Sequence, residues 1–146
     1  VSVSFRNVDA DPDDDVQTWP YEALVAMIDR GLVPDWQPLF AEVRRSPWGP
    51  VARRIERYLS YREPDGIGTL FRLAIEAARR HMDEATKQDV AGRVRAAVRR
   101  SGLTAAEFGA LSGTSASRLS TYMSGSVTPS AAMLVCMERL AEPDAS

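Results

Sequence analysis

The chain has 146 residues, 45% of them apolar, which is enough for one ordinary domain or two small ones with packed cores. Its 18 Lys and Arg stand against 20 Asp and Glu, so the molecule as a whole shows no positive excess that announces a polyanion partner. One cysteine, Cys136, and one histidine, His81, exclude an internal disulfide, a Cys-rich metal site and most nucleophile–base constellations, so no metal or other cofactor is expected. No apolar run approaches the ~18–20 residues of a membrane span, and the first residues lack a basic-then-apolar leader. The expectation is a reduced, cytoplasmic protein without a membrane partner. The charge is uneven: residues 1–89 carry 12 basic and 16 acidic side chains, and residues 90–146 carry 6 and 4.

Val1 to Phe5 alternates apolar and polar residues as a short strand does, and Asp9 to Asp15 then places five carboxylates in seven residues. Residues 1–16 are therefore expected to form a solvated acidic arm. From Trp19 the pattern becomes short amphipathic helices separated by proline. Leu24, Val25 and Ile28 form the stripe of the first, which Gly31 stops; Trp36, Leu39, Phe40 and Val43 form that of the second. Ser46-Pro47 then supplies a cap and a first-turn proline for a third helix with Val51, Ile55, Tyr58 and Leu59 inward and Arg53, Arg54 and Arg57 on a solvated face. Trp19, Trp36 and Trp48 are expected as core aromatics at helix starts.

After a turn at Glu63 to Gly66, Phe71, Ile75, Ala78 and Met82 step at helical spacing, and the stripe can continue through Ala85, Val90, Val94 and Val98. One long helix, or two helices breaking between Asp83 and Thr86, both satisfy this pattern, and a long helix with one stripe also suits a two-fold dimer seam. His81 belongs on its outer face.

The informative part is residues 90–141. Val94, Ala97 and Val98 face inward on a basic helix whose Arg93, Arg95, Arg99 and Arg100 are available outward, and Gly102 ends it. Thr104 and Glu107 form a capping box for a helix starting near 105, with Phe108 and Leu111 inward. Gly113 allows the positive φ of a sharp corner, and Ser115 caps the next short helix, in which Leu119 and Tyr122 face the core. Gly125 ends that helix. Thr128-Pro129 restarts the chain as cap and first-turn proline, leading into a helix with Met133, Leu134, Met137 and Leu140 inward and Cys136 beside them as a small buried hydrophobe.

Two helices of about eight residues joined by a three-to-four-residue glycine turn make a helix-turn-helix pattern. The small Gly109, the turn at Gly113, the Leu119 and Tyr122 pair, and Ser124-Gly125 followed by Thr128-Pro129-Ser130 together resemble the Cro and phage-repressor class, the XRE-type regulators. The resemblance covers about residues 90–141. It implies a lambda-repressor-like four-helix DNA-binding domain with double-stranded DNA as partner; with the amphipathic helices read upstream, the expected class is an all-α protein in which a helical N-terminal domain precedes it. Two positions depart from the family: Ala105 stands where a Gln often reaches the DNA backbone, and Ala116 where a polar residue often heads the recognition helix.

In such a domain the first turns of the recognition helix meet base edges in the major groove. The base-contact candidates are Ala116, Ser117, Arg118 and Thr121. Arg118 is the strongest, because a guanidinium engages guanine O6 and N7 together. Phosphate-contact candidates are Ser115, Ser124, Ser126, Ser130, Arg95, Arg99 and Arg100, the serines being helped by helix N-termini. So few cations imply modest affinity from one copy, hence a homodimer on half-sites about 34–36 Å apart.

The expected organisation is an arm at 1–16, a helical domain at 17–82 for dimerisation or partner binding, the helix-turn-helix domain at 86–141 and an acidic tail at 142–146. The leading function is a sequence-specific dimeric repressor. The alternative is an antitoxin-like or adaptor protein whose residues 1–85, net negative, bind a protein partner while the helix-turn-helix regulates its own operon. A ligand-responsive regulator ranks behind both. No carboxylate pair is placed with a His, Lys or phosphate loop, so catalysis is not expected.

Overall fold

A computed structural model of the chain describes residues 4–5 and 9–143. Among these the secondary structure is entirely helical, in two short 3-10 turns (Val16–Thr18 and Val33–Trp36) and seven α-helices: α1 (Tyr21–Arg30), α2 (Gln37–Arg45), α3 (Pro50–Tyr61), α4 (Gly66–Ser101), α5 (Ala105–Ser112), α6 (Ala116–Ser124) and α7 (Ala131–Leu140). No helix among the described residues is long and apolar enough to cross a membrane. The chain divides into two compact units, residues 1–82 and 83–146. Helix α4 runs through that boundary without the break that Asp83 to Thr86 could have supplied. Its residues 81–89 are exposed on every side, so the apolar stripe is interrupted there rather than continuous. Helix is kept in this span by residues that form it well, Glu84, Ala85, Lys87 and Gln88, and by an Asp83–Lys87 ion pair at 3.1 Å.

In the N-terminal unit, Trp19, Leu24, Ile28, Leu39, Val43, Ile55, Leu59, Phe71 and Ile75 form one core, all essentially inaccessible to solvent. Phe71, on the first half of α4, takes a stacked Phe40 ring at 4.9 Å on one side and the edge of Trp36 at 5.5 Å on another. Trp36 Nε1 donates to the Met27 carbonyl at 3.0 Å, so the indole satisfies its buried N–H at the end of α1.

Several local expectations are corrected here. Asp9 to Asp15 keeps its carboxylates exposed but is not a free arm. Asp11 and Asp14 close a turn, Trp19 Nε1 donates to the Asp14 carbonyl at 3.1 Å, and Val16 is buried. The proposed strand at residues 1–5 falls mostly outside the described residues; Phe5, which is described, packs edge-on against Trp19 at 5.2 Å and is not in a strand.

Helix α3 begins at Pro50 with Gly49 as its cap, three residues later than the Ser46-Pro47 expectation, because Ser46 instead ends α2 by donating its N–H to the Glu42 carbonyl. Trp48 is thereby left on the surface, 64% exposed, with the Arg79 guanidinium stacked over its ring at 4.0 Å. The same guanidinium donates to both oxygens of Glu56 and, through Nε, to the Pro47 carbonyl, tying α4 to α3 and to the α2–α3 connection. Arg53 and Arg57 are exposed, whereas Arg54 turns back to donate to the Trp19 carbonyl at 3.3 Å.

Tyr58 on α3 donates its hydroxyl to Asp29 Oδ1 on α1 at 2.5 Å. Burial first, then this hydrogen bond and the Asp29 charge, push the Tyr58 phenol up to about 12, against a smaller opposing effect of Arg62. A phenol that ionises later in the folded than in the unfolded chain contributes stability that is complete below about pH 10 and lost as pH rises toward about 12. Absorbance titration of tyrosinate is expected to show a phenol that ionises only toward about pH 12, and Tyr58→Phe should remove that late step and flatten the alkaline loss of stability. Loss in Tyr58→Phe of a step near the ordinary phenol value of about 10, with the late step retained, would count against the bond.

Candidate nucleic-acid interface

The C-terminal unit is built from the last turns of α4 with α5, α6 and α7 around Val94, Ala97, Val98, Phe108, Leu119, Tyr122, Leu134, Met137 and Ala141. Three left-handed glycines punctuate it: Gly102 after α4 (φ 68), Gly113 after α5 (φ 81) and Gly125 after α6 (φ 82). The capping box at α5 forms as the sequence predicts, with Thr104 Oγ1 accepting from Glu107 N–H at 3.2 Å and Glu107 Oε2 accepting from Thr104 N–H at 3.0 Å. Such a cap contributes about 1 kcal/mol.

The corner between α5 and α6 rests on a missing side chain. A Cβ on Gly109 would stand 3.0 Å from the Thr114 carbonyl oxygen and 3.5 Å from the Ser115 carbonyl, so any side chain here would require the turn backbone to give way by a few tenths of an ångström. Thr114 N–H donates to the Gly109 carbonyl at 2.8 Å across the same contact. Gly109 thus packs on the turn backbone itself. Ser115 then caps α6 by accepting from Arg118 N–H at 3.1 Å.

Leu111, expected inward, is 62% exposed. In so short a helix one turn decides the face, and Phe108 with Ser112, four apart, occupies the inner side that Leu111 was assigned. Ser112 is satisfied there by donating to the Phe108 carbonyl at 2.5 Å. The start of α7 also shifts: Ser130, not Thr128, is its cap, accepting from Met133 N–H at 3.1 Å, and Pro129 lies buried ahead of it. With that register Ala141 is buried while Leu140 is 37% exposed, and Cys136 lies on the surface rather than in the core.

The base-contact candidates are presented together on the first turns of α6: Ala116, Ser117 and Arg118 are exposed and Thr121 is half-buried, its hydroxyl donating to the Arg118 carbonyl at 2.6 Å. Arg118 is not a free side chain. Its Nε donates to the Tyr122 hydroxyl at 2.8 Å, a bond that raises the guanidinium pKa further above its already high value. Sequence spacing could have suggested this pair, because residues four apart on a helix are neighbours.

The phosphate candidates separate into two groups. Ser115 and Ser130 use their oxygen to accept from a helix N–H, so each hydroxyl proton is left to donate outward beside the unsatisfied N–H groups of a helix start. Ser124 and Ser126 instead close a network at the end of α6. Ser124 Oγ lies 3.1 Å from the Thr121 carbonyl and 3.0 Å from Ser126 Oγ, which itself lies 3.3 Å from that carbonyl. With one proton per hydroxyl, at most one of the two donors can leave without abandoning the carbonyl.

Arg99 and Arg100 are exposed in the last turn of α4 and make no side-chain hydrogen bond or ion pair among the described residues, so both guanidinium groups are available. Arg95, expected outward, is half-buried and donates Nη1 to the Met123 carbonyl at 2.5 Å, satisfying the C-terminal end of α6. Arg93 is exposed and paired with Glu138. Arg95→Ala is expected to destabilise the C-terminal unit by about 1.5–3 kcal/mol, the range for a hydrogen bond from a charged donor. Arg93→Ala should leave it near wild type because its ion pair is solvent-exposed. Denaturant midpoints of the two variants make the comparison, and equal midpoints would refute the role given to Arg95.

Residues 89–142, which include the last turns of α4 and all of α5, α6 and α7, match the family model of a helix-turn-helix domain. No curated protein and no solved structure matches the chain. The family match and the α5–α6 geometry support a DNA-binding helix-turn-helix domain in the C-terminal unit of an all-α protein.

Proposed function

We propose that this protein is a sequence-specific DNA-binding transcriptional regulator of the Cro and phage-repressor type, acting as a dimeric repressor. The observation that carries this function is the presentation of Ser117, Arg118 and Thr121 on an α6 whose start is capped by Ser115 and whose angle to α5 is set by the Gly109–Thr114 contact. In the proposed complex α6 enters the major groove. Arg118 meets guanine there, with Ala116, Ser117 and Thr121 along neighbouring base edges. Ser115 and Ser130 hold phosphates with the helix starts they cap, and Arg99 and Arg100 add charge. Ser124, Ser126 and Arg95 serve the α6 terminus first and are secondary contacts at most.

The expected electrostatic contribution is small. Each phosphate neutralised adds roughly 0.9 to the salt slope, and two free guanidinium groups per copy give weak retention by a single domain. A second copy on a neighbouring half-site supplies the remaining affinity. Residues 17–82 are assigned to dimerisation or to a protein partner.

The second function, an antitoxin-like or adaptor protein that regulates its own operon, is favoured by the large apolar side chains exposed on the N-terminal unit. Leu32, Val33, Trp48 and Tyr61 are each more than half exposed, in the acidic part of the chain. A gene for a small toxin-like protein beside this one would favour it over the first.

The deciding experiment is selection of genomic fragments by the purified protein at two salt concentrations. Enrichment of a two-fold symmetric site with half-sites one helical turn apart supports the dimeric regulator; equal, salt-sensitive retention of all fragments opposes it. Within the enriched site, Arg118→Ala should relax preference at one base pair by about 1–3 kcal/mol and leave the fold intact. Unchanged preference throughout the site would remove the base-reading role. Arg99→Ala should weaken all sequences alike and lower the salt slope by about 1, and a loss confined to one sequence would contradict the phosphate role.

A further inference from the structure

We infer that Tyr122 is a positioning residue for recognition: its hydroxyl holds Arg118 by Nε and leaves the two terminal nitrogens of the guanidinium as the fork that meets a guanine. This inference rests on the DNA-binding function proposed above. Tyr122 is suited to the task because it belongs to the core. It is 6% exposed and packed in the cluster that contains Phe108 and Leu119, so its ring and the position of its hydroxyl are set by packing before any ligand arrives.

The geometry selects one mode of contact. Arginine carries five N–H donors in a planar fork, and guanine O6 and N7 are two adjacent acceptors. A guanidinium can meet them side-on, through Nε and one terminal nitrogen, or end-on, through both terminal nitrogens. With Nε donating to Tyr122 at 2.8 Å, the side-on mode is closed and the end-on mode stays open. The hydrogen bond sets this orientation rather than the ring face, since the guanidinium carbon is 6.0 Å from the ring centroid, at the outer limit of cation–π attraction. A side chain held in one rotamer before docking also loses less freedom on binding than a mobile surface arginine.

Tyr122→Phe in the whole 146-residue chain tests the inference, because it keeps the ring and the core and removes only the hydroxyl. In the free wild-type protein the Arg118 Nε–H, observed by nitrogen-resolved NMR, is expected to exchange with solvent more slowly than those of the exposed Arg99 and Arg100. Tyr122→Phe should abolish that protection. In fragment selection the same variant should lose about 3- to 10-fold of the preference at the base pair that depends on Arg118, the range for one side chain that must be ordered on binding. Preference at the other positions and the melting temperature should stay near wild type.

Unprotected Nε–H in the wild type, or full preference retained by Tyr122→Phe at a base pair that Arg118→Ala relaxes, overturns the positioning role while the DNA-binding function stands. A uniform loss at all positions with a lowered melting temperature makes Tyr122 a core residue only and overturns the role as well. A wild-type protein that enriches no sequence overturns the sequence-specific function, and the positioning role falls with it.

Discussion

The C-terminal unit depends on one close approach, the bare Cα of Gly109 against the Thr114 carbonyl and the Ser115 backbone. Because nothing projects from Gly109, the chain can leave α5 through the left-handed Gly113 and start α6 within three residues. That corner aims Leu119 and Tyr122 into the core beside Phe108 and turns the opposite side of the first α6 turns to solvent. A side chain at 109 would push against backbone atoms, which have no rotamer through which to yield. The other end of α6 is held independently, by Gly125 with its positive φ and by Arg95 donating to the Met123 carbonyl. A helix secured at both termini can present side chains in a defined geometry although it is only nine residues long.

The polar groups around α6 divide according to where their protons go. Cap serines accept from the backbone and retain a donor for an anion; serines at a helix end donate to the last carbonyls and have little left to offer. Ser115 and Ser130 belong to the first kind, Ser124 and Ser126 to the second. The same division applies to the arginines. Arg99 and Arg100 are available charges, Arg95 satisfies α6, Arg93 is paired with Glu138, and Arg118 is oriented by Tyr122. A single-letter count of basic residues therefore overstates what the domain can offer to phosphates.

In the N-terminal unit a comparable arrangement surrounds Arg79. Its guanidinium satisfies a carboxylate and a carbonyl and covers one face of the exposed Trp48 indole at the α2–α3 connection. The unit combines a dense core with large apolar side chains left outside it. Helix α4 contributes to the core of each unit, with exposed helix between the two contributing segments.

Much of this was legible in the sequence. The all-helical class, the ends of most helices, the Thr104–Glu107 box, the turn at Gly113, the Ser115 cap and the Phe108, Leu119 and Tyr122 core follow from local chemistry. A cap, a positive φ or a strong apolar period acts over four or five residues and is written in them. Tertiary structure decided what local chemistry leaves degenerate. Leu111 and Ser112 compete for one face of a two-turn helix, Thr128 and Ser130 for one cap, and Trp48 for core or surface. In each case the outcome depends on the neighbouring element, whose position no short window contains. The partners of Arg95 and Arg79 lie 28 and 32 residues away in the chain, and only folding brings a carbonyl within reach of either guanidinium. Sequence by itself determined where helices start, stop and turn, because those are short-range steric and hydrogen-bonding requirements. Which side chains remain free to meet a ligand was decided by the tertiary structure, because a donor is free only if no distant acceptor has already taken its proton.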